Sequence, residues 1–155
     1  MAPRPLDRKP WDIPPAYLLG AGALMLILDQ LLPLARLVPW PWTLWGVLPI
    51  LAGIVLAVAA ERRFRRAGTP VRPFELSSAL VTDGPFRFTR NPMYLGMMLV
   101  LGGLALLLGT LAPLLVLPAF FALIHLRFVR LEEAFLELHF GEAYRAYKER
   151  VRRWL

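Results

Sequence analysis

Four stretches of nearly unbroken apolar residues run through the chain and leave it few ways to fold. They extend from about Ala16 to Leu34, Leu44 to Ala60, Met93 to Leu108 and Leu111 to Leu126. Each holds roughly 16–19 residues, about 24–29 Å as helix, enough to cross a hydrocarbon core of about 30 Å with help from flanking residues. A helix on a soluble core carries a polar face every 3.6 residues, and the second, third and fourth stretches carry none. Apolar residues make up 57% of the chain, against about 45–50% in soluble domains, too many for a protein of this size to hide from water. Gly109, Thr110 and Pro113 lie between the third and fourth stretches and predict a tight hairpin. The chain therefore reads as one all-α, multi-pass membrane domain over residues 1–155, with about four transmembrane helices. The leading segment MAPRPLDRKPWDIPP is basic and proline-rich, unlike a signal peptide, so the first apolar stretch is expected to be retained.

The charges fix an expected orientation. Arg4, Arg8 and Lys9 precede the first stretch. Arg62, Arg63, Arg65, Arg66, Arg72, Arg87 and Arg90 lie between the second and third, and Arg127, Arg130, Arg145, Lys148, Arg150, Arg152 and Arg153 follow the fourth. Only Arg36 of the 18 basic residues falls in the opposite loop. With four crossings, both termini and the central loop share one side, which basic residues mark as cytoplasmic. This predicts an integral protein of a plasma or inner membrane, with Trp40, Trp42 and Trp45 as an aromatic belt at the outer interface. Asp29 and Gln30 interrupt the first stretch near that outer side, where Asp29 is expected to pair with Arg36 or reach interfacial water.

Two polar regions flank the membrane segments. A loop over 61–92 opens with ERRFRRAG, which continues the second helix until Gly68 and Pro70 end it. It closes with a turn at Thr82-Asp83-Gly84-Pro85 and an Arg-Asn-Pro step that starts the third helix at Pro92. The tail over 127–155 has apolar residues at helical spacing (Leu131, Phe135, Leu138, then Tyr144, Tyr147, Val151), broken at Gly141, and predicts an amphipathic helix on the membrane surface. Arg62 to Arg66 and Arg150 to Arg153 read as anchors to anionic lipid. Glu132 and Glu133 do not fit a surface helix, because adjacent acids beside an anionic surface need partners.

Many chemistries are excluded. There is no cysteine, and His125 and His139 are too few for a His-rich metal site. Neither a Gly-rich phosphate loop, a Ser/His/Asp set nor a zinc pattern is present. GGLALLLG in the third stretch reads as close packing of small residues rather than as a nucleotide loop. The net charge of +7 follows membrane topology rather than forming a basic nucleic-acid module. A transporter would need a polar path, and beyond Asp29 and Gln30 the segments offer almost none.

Two clusters remain on the expected cytoplasmic side: GPFRFTRNPMY at 84–94, and RLEE at 130–133 leading to FGEAYRAYKERV at 140–151. A hairpin of the third and fourth helices would bring them together beside lipid, an arrangement that suits joining a water-soluble cofactor to a membrane-embedded substrate. From about Leu80 to Arg153 this pattern resembles the isoprenylcysteine carboxyl methyltransferase and phospholipid methyltransferase-like family of integral membrane enzymes. The resemblance implies S-adenosylmethionine as cofactor and no metal. It implies cofactor contacts from Ser78, Leu80, Val81, Phe86, Asn91, Pro92, Met93 and Tyr94, with Glu132 closing the site. Arg90, Arg130 and Glu132 are the residues it marks as catalytic, the arginines binding the cofactor carboxylate or orienting an acidic substrate group. Methyl transfer depends mainly on positioning. Asn91 stands where some members carry His, so a titrating base at this position is not expected. Tyr144 and Tyr147 read as packing or interface residues, and His139 as surface-exposed. The implied activity is methyl transfer to a lipidic or membrane-partitioned acceptor, a carboxylate or an amine; the alternative is a non-catalytic membrane scaffold that keeps the fold. No nucleic-acid partner is expected.

Overall fold

A computed structural model describes residues 12–68 and 79–155, and all of its regular structure is helical. Helix α1 is Pro14–Leu31, opening on prolines whose missing N–H groups cost nothing at a helix start. A short 3₁₀ turn, Trp42–Gly46, leads into α2, Val47–Arg66. A second 3₁₀ turn at Gly84–Arg87 precedes α3, Pro92–Leu108, which again begins on proline. Helix α3 stops at Gly109, whose φ of 73° is left-handed and suits a residue without a Cβ. After one more residue, α4 runs from Leu111 to Ile124 and passes through a π turn at His125–Val129 into α5, Arg130–Phe140. Gly141, with φ 53° and ψ −123°, breaks the chain before α6, Glu142–Arg150.

Three of these helical stretches are long and apolar enough to cross a membrane: Pro14–Leu31, Trp42–Arg66 and Leu111–Phe140. The chain is an integral, all-α membrane protein. The apolar helix α3, at 17 residues, is shorter but sits deepest, with Tyr94, Met97, Leu101 and Ala105 all buried. Helices α1, α2 and α4 surround it. Large side chains on α1 and α2, such as Leu19, Leu31 and Val55, point outward and remain exposed, as lipid-facing residues do. One element differs from the sequence expectation. The charged tail does not begin as a separate surface helix at Arg127, because the helix started at Leu111 continues to Phe140. Gly68 lies just beyond α2 with φ 63°, while Pro70 is outside the described residues.

The contact between α2 and α3 follows from four glycines. A Cβ on Gly46 would strike the carbonyl of Gly103, and one on Gly103 would strike the carbonyl of Gly46. Gly53 and Gly96 stand in the same reciprocal relation. Gly46, at the cap of α2, and Gly53 are seven residues apart, as are Gly96 and Gly103 on α3, so the facing sides of the antiparallel pair are cut back to the backbone. Lipid tails are as apolar as leucine, so helices in a bilayer gain little by hiding side chains from them. Close backbone approach and van der Waals contact supply the adhesion instead.

The far end of the bundle is closed by polar contacts. The Thr110 hydroxyl donates to the Asp29 carboxylate at 2.5 Å, and the Gln30 amide donates weakly at 3.4 Å. Asp29 thus joins α1 to the α3–α4 turn rather than to the Arg36 side chain. The segment around Arg36 meets the same turn through its backbone, with Leu37 and Val38 N–H donating to the Gly109 carbonyl at 2.8 and 3.0 Å. Trp40, Trp42 and Trp45 are exposed at this end, in keeping with an interfacial belt.

Replacing Gly53 or Gly96 with Val should force α2 and α3 apart and cost about 3 kcal/mol or more. Gly20→Ala, where nothing lies within 4 Å of the new methyl, should stay within about 0.5 kcal/mol. Thermal unfolding of the detergent-solubilised variants compares the two.

Candidate active site

At the end of the bundle opposite Asp29, the start of α3 faces the π turn and the start of α5. The chain reaches α3 through a rigid approach. Asp83 accepts an ion pair from Arg63 at the end of α2, at 2.6 Å. Gly84 follows with φ 59°, in a space where a Cβ would press on the Arg63 guanidinium. Thr89 then folds its hydroxyl back to accept the Asn91 N–H at 3.2 Å, and Pro92 starts the helix. One turn on, the Tyr94 hydroxyl donates to the Glu132 carboxylate at 2.8 Å. This bond joins the two motif clusters directly. Beneath it the fully buried Phe128 ring meets Tyr94 at 6.4 Å and takes the edge of Tyr17 at 5.5 Å.

The π turn determines where the two acids point. It places one additional residue in a turn of the helix, and the register after it differs from that of α4. Phe128 and Val129 both end fully buried. Beyond them Glu132 faces Tyr94, while Glu133 faces two arginines. Arg153 grips Glu133 through Nε at 3.0 and 3.1 Å and Nη2 at 2.7 Å. Arg90 Nη1 lies 3.4 Å from Glu133 Oε1, and both side chains are only 9% exposed. One buried carboxylate therefore serves two guanidinium groups, and the cluster carries an excess positive charge. Arg90 Nε and Nη1 have no hydrogen-bond partner among the described residues. Donors without a formed hydrogen bond at such depth are costly and suit an incoming anion.

Tyr144 and Tyr147 of α6 back this cluster. Burial pushes the Tyr144 hydroxyl pKa up, and the Glu133 charge adds to the shift against the opposing pull of Arg90. Burial likewise pushes Tyr147 up to about 12, again opposed by Arg90. The Tyr147 hydroxyl donates to the Phe86 carbonyl at 2.7 Å. These tyrosines are packing and bracing residues, as their spacing suggests.

Of the residues singled out from the sequence, Arg90, Asn91, Tyr94 and Glu132 converge at this corner. Leu80, Val81, Phe86 and Met93 form an apolar wall with Tyr144, Tyr147 and Val151. The Phe86 ring is buried and takes Phe64 edge-on at 5.2 Å, and Pro92 is fully buried beneath. Arg130 is exposed and takes no part in the Glu133 ion pairs. Ser78 lies outside the described residues. His139 is exposed.

Glu133, Arg153 and Thr89 were not singled out as site residues. The need of adjacent acids for partners is legible in RLEE. Arg153, in contrast, sits in the run RVRRW and looks like another lipid anchor; nothing in its spacing separates it from Arg150 or Arg152.

Glu133→Ala should lower stability by about 3–5 kcal/mol, because it leaves buried guanidinium charge uncompensated; chemical unfolding in detergent measures this. A pH effect follows from Tyr147. Its folded pKa, about 12, lies above its ordinary value of 10.0. Its contribution to stability is therefore whole below pH 10 and is lost as pH rises toward 12. The fall in melting temperature over that window should be shallower in Tyr147→Phe.

A family model described as phospholipid methyltransferase matches residues 42–143 of the chain. An uncharacterized protein of Haemophilus influenzae is 41% identical over 63 residues, a stretch covering 41% of this chain and 100% of that relative. No solved structure matches.

Proposed function

The chain belongs to the phospholipid methyltransferase family, and we propose that it transfers a methyl group from S-adenosylmethionine to a lipidic or membrane-partitioned acceptor, a carboxylate or an amine. The observation that carries this reading is the 2.8 Å bond from Tyr94 to Glu132, which unites both motif clusters at one corner.

The donor set there suits the cofactor. Glu132 offers a carboxylate for an ammonium or for ribose hydroxyls, and Tyr94 holds that carboxylate in one orientation. Arg90 offers buried N–H groups that form no hydrogen bond, and a guanidinium is a charge-assisted donor to a carboxylate. Asn91 adds an amide that cannot titrate near neutrality. When bound, S-adenosylmethionine supplies a methyl carbon on a sulfonium. Held by Glu132, Asn91 and Arg90, it would supply that carbon to an oxygen or nitrogen lone pair, with a neutral thioether as the leaving group. An amine acceptor also sheds a proton. The protein's task is to hold both partners in line and keep water out, which is where most of such a rate enhancement arises.

A lipid-side acceptor is supported by an apolar groove of about 490 Å³ between α1 and α4, lined by Tyr17, Gly20, Leu24, Val116, Phe120 and neighbours. Its Tyr17 end touches Phe128, which in turn touches Tyr94. An acyl or prenyl chain in this groove would have its head group one aromatic layer from the Tyr94–Glu132 pair. Arg130, exposed nearby, is the candidate contact for an acidic acceptor group. The basic residues gathered at this end support a cytoplasmic face for the site and for both termini, in a plasma or inner membrane.

Equilibrium binding of S-adenosylmethionine to the detergent-solubilised chain tests the reading. The parent should bind, Glu132→Ala should weaken binding about 100-fold, and Tyr94→Phe should weaken it about 10-fold through loss of a hydrogen bond to a charged group. A parent that fails to bind, with Glu132→Ala indistinguishable from it, would leave the non-catalytic scaffold as the better description.

A further inference from the structure

The last residues of the chain come back to the candidate site. After α6, Val151 is extended (φ −125°, ψ 127°) and buried beside Tyr144 and Tyr147. Arg152, Arg153 and Trp154 then run past the start of α3. Two successive carbonyls of this strap take up three donors of the Thr89–Asn91 corner. The Arg152 carbonyl accepts the Arg90 N–H at 3.0 Å. The Arg153 carbonyl accepts the Thr89 hydroxyl at 3.2 Å and the Asn91 side-chain amide at 3.0 Å. The Arg153 side chain turns to the other cluster and grips Glu133. Trp154 closes the strap, with its ring 5.0 Å from Phe121 and 6.2 Å from His125.

These contacts have chemical consequences for the corner they hold. A carbonyl oxygen can only accept, so the NH₂ end of the Asn91 amide must face Arg153. Its oxygen is therefore the end turned elsewhere, and the strap decides which half of the amide a ligand meets. The Arg153 side chain has a second effect. With its planar fork on Glu133, the carboxylate is shared, and Arg90 Nη1 sits 3.4 Å away without a formed hydrogen bond. Without Arg153, Glu133 would have only Arg90 as a partner and would close on Nη1, whose N–H now forms no hydrogen bond.

We propose that the strap Val151–Trp154 belongs to the active site, and that Arg153 is a positioning residue that sets Arg90 through Glu133 and orients Asn91 through its carbonyl. This rests on the methyltransferase reading given above and extends the site to the end of the chain. Simple anchoring of the tail to lipid does not account for it. Arg150 and Arg152 are exposed, whereas Arg153 commits its guanidinium to a buried acid.

The test measures S-adenosylmethionine binding and melting temperature on the full chain in detergent. Arg153→Gln should weaken binding about 10- to 100-fold while melting within a few degrees of the parent. Arg153→Lys should fall between them, since a point charge cannot reproduce the fork. Arg153→Gly should regain binding on addition of methylguanidinium, a result that a general loss of fold would not give. Arg150→Gln should bind as the parent does. Parent-like binding by Arg153→Gln overturns the positioning role alone. So does a loss that tracks the unfolded fraction and resists methylguanidinium, because that would make the strap a structural tie. A parent chain that binds no S-adenosylmethionine overturns the methyltransferase reading, and the positioning role falls with it.

Discussion

A carboxylate taken out of water must find a cation, and in this protein the requirement organises one whole end of the molecule. Glu133 lies at the start of α5, Arg90 just before α3 and Arg153 near the chain's end. No two of these belong to the same helix. Meeting the electrostatic demand of one buried acid therefore ties together segments separated by 20 to more than 40 positions. Isolated buried ion pairs add little net stability against a hydrophobic replacement, because desolvation offsets the attraction. Their contribution here is geometric: with Glu133 held by Arg90 and Arg153, the start of α5 is fixed where Glu132 meets Tyr94.

The membrane bundle supplies the stiffness against which this arrangement is held. The glycine faces of α2 and α3 bring backbone against backbone at two levels seven residues apart, which leaves little room for the two helices to slide. Arg63 at the end of α2 and Asp83 before α3 continue the same pairing out of the apolar zone. At the far end, Asp29 and Thr110 close α1 onto the α3–α4 turn. The site thus sits on the most constrained part of α3, while α1 and α2 turn their large apolar side chains outward.

Much of this was legible in the chain. Runs of apolar residues without a polar stripe specify membrane helices, because length and hydropathy are local properties. Pro92 and Gly109 mark the two ends of α3 through their own backbone chemistry. The convergence of the Arg-Asn-Pro step with RLEE followed from a tight hairpin between the third and fourth apolar stretches. What escaped was non-local. The charge of Arg153 is identical in sequence to that of Arg152, and only the path of the strap distinguishes a lipid-facing guanidinium from one that binds Glu133. The burial of Phe86 is likewise non-local, since its neighbours Phe64 and Tyr147 stand on two other elements. The continuation of α4 into α5 was hidden by the onset of charge at Arg127, since composition changes there while the backbone hydrogen bonding does not stop.

The π turn at His125–Val129 makes residue count as important as residue identity along this helix. Each residue of a regular helix advances about 100°, and the turn absorbs one extra residue, so the same residues wound as ordinary helix would rotate everything beyond by about that angle. Glu132 would leave Tyr94 and Glu133 would leave its arginines, although every side chain of the motif was still present. A relative without the turn should therefore carry one residue fewer between the positions of Phe121 and Arg130. An alignment that omitted that gap would pair the wrong residues with both acids.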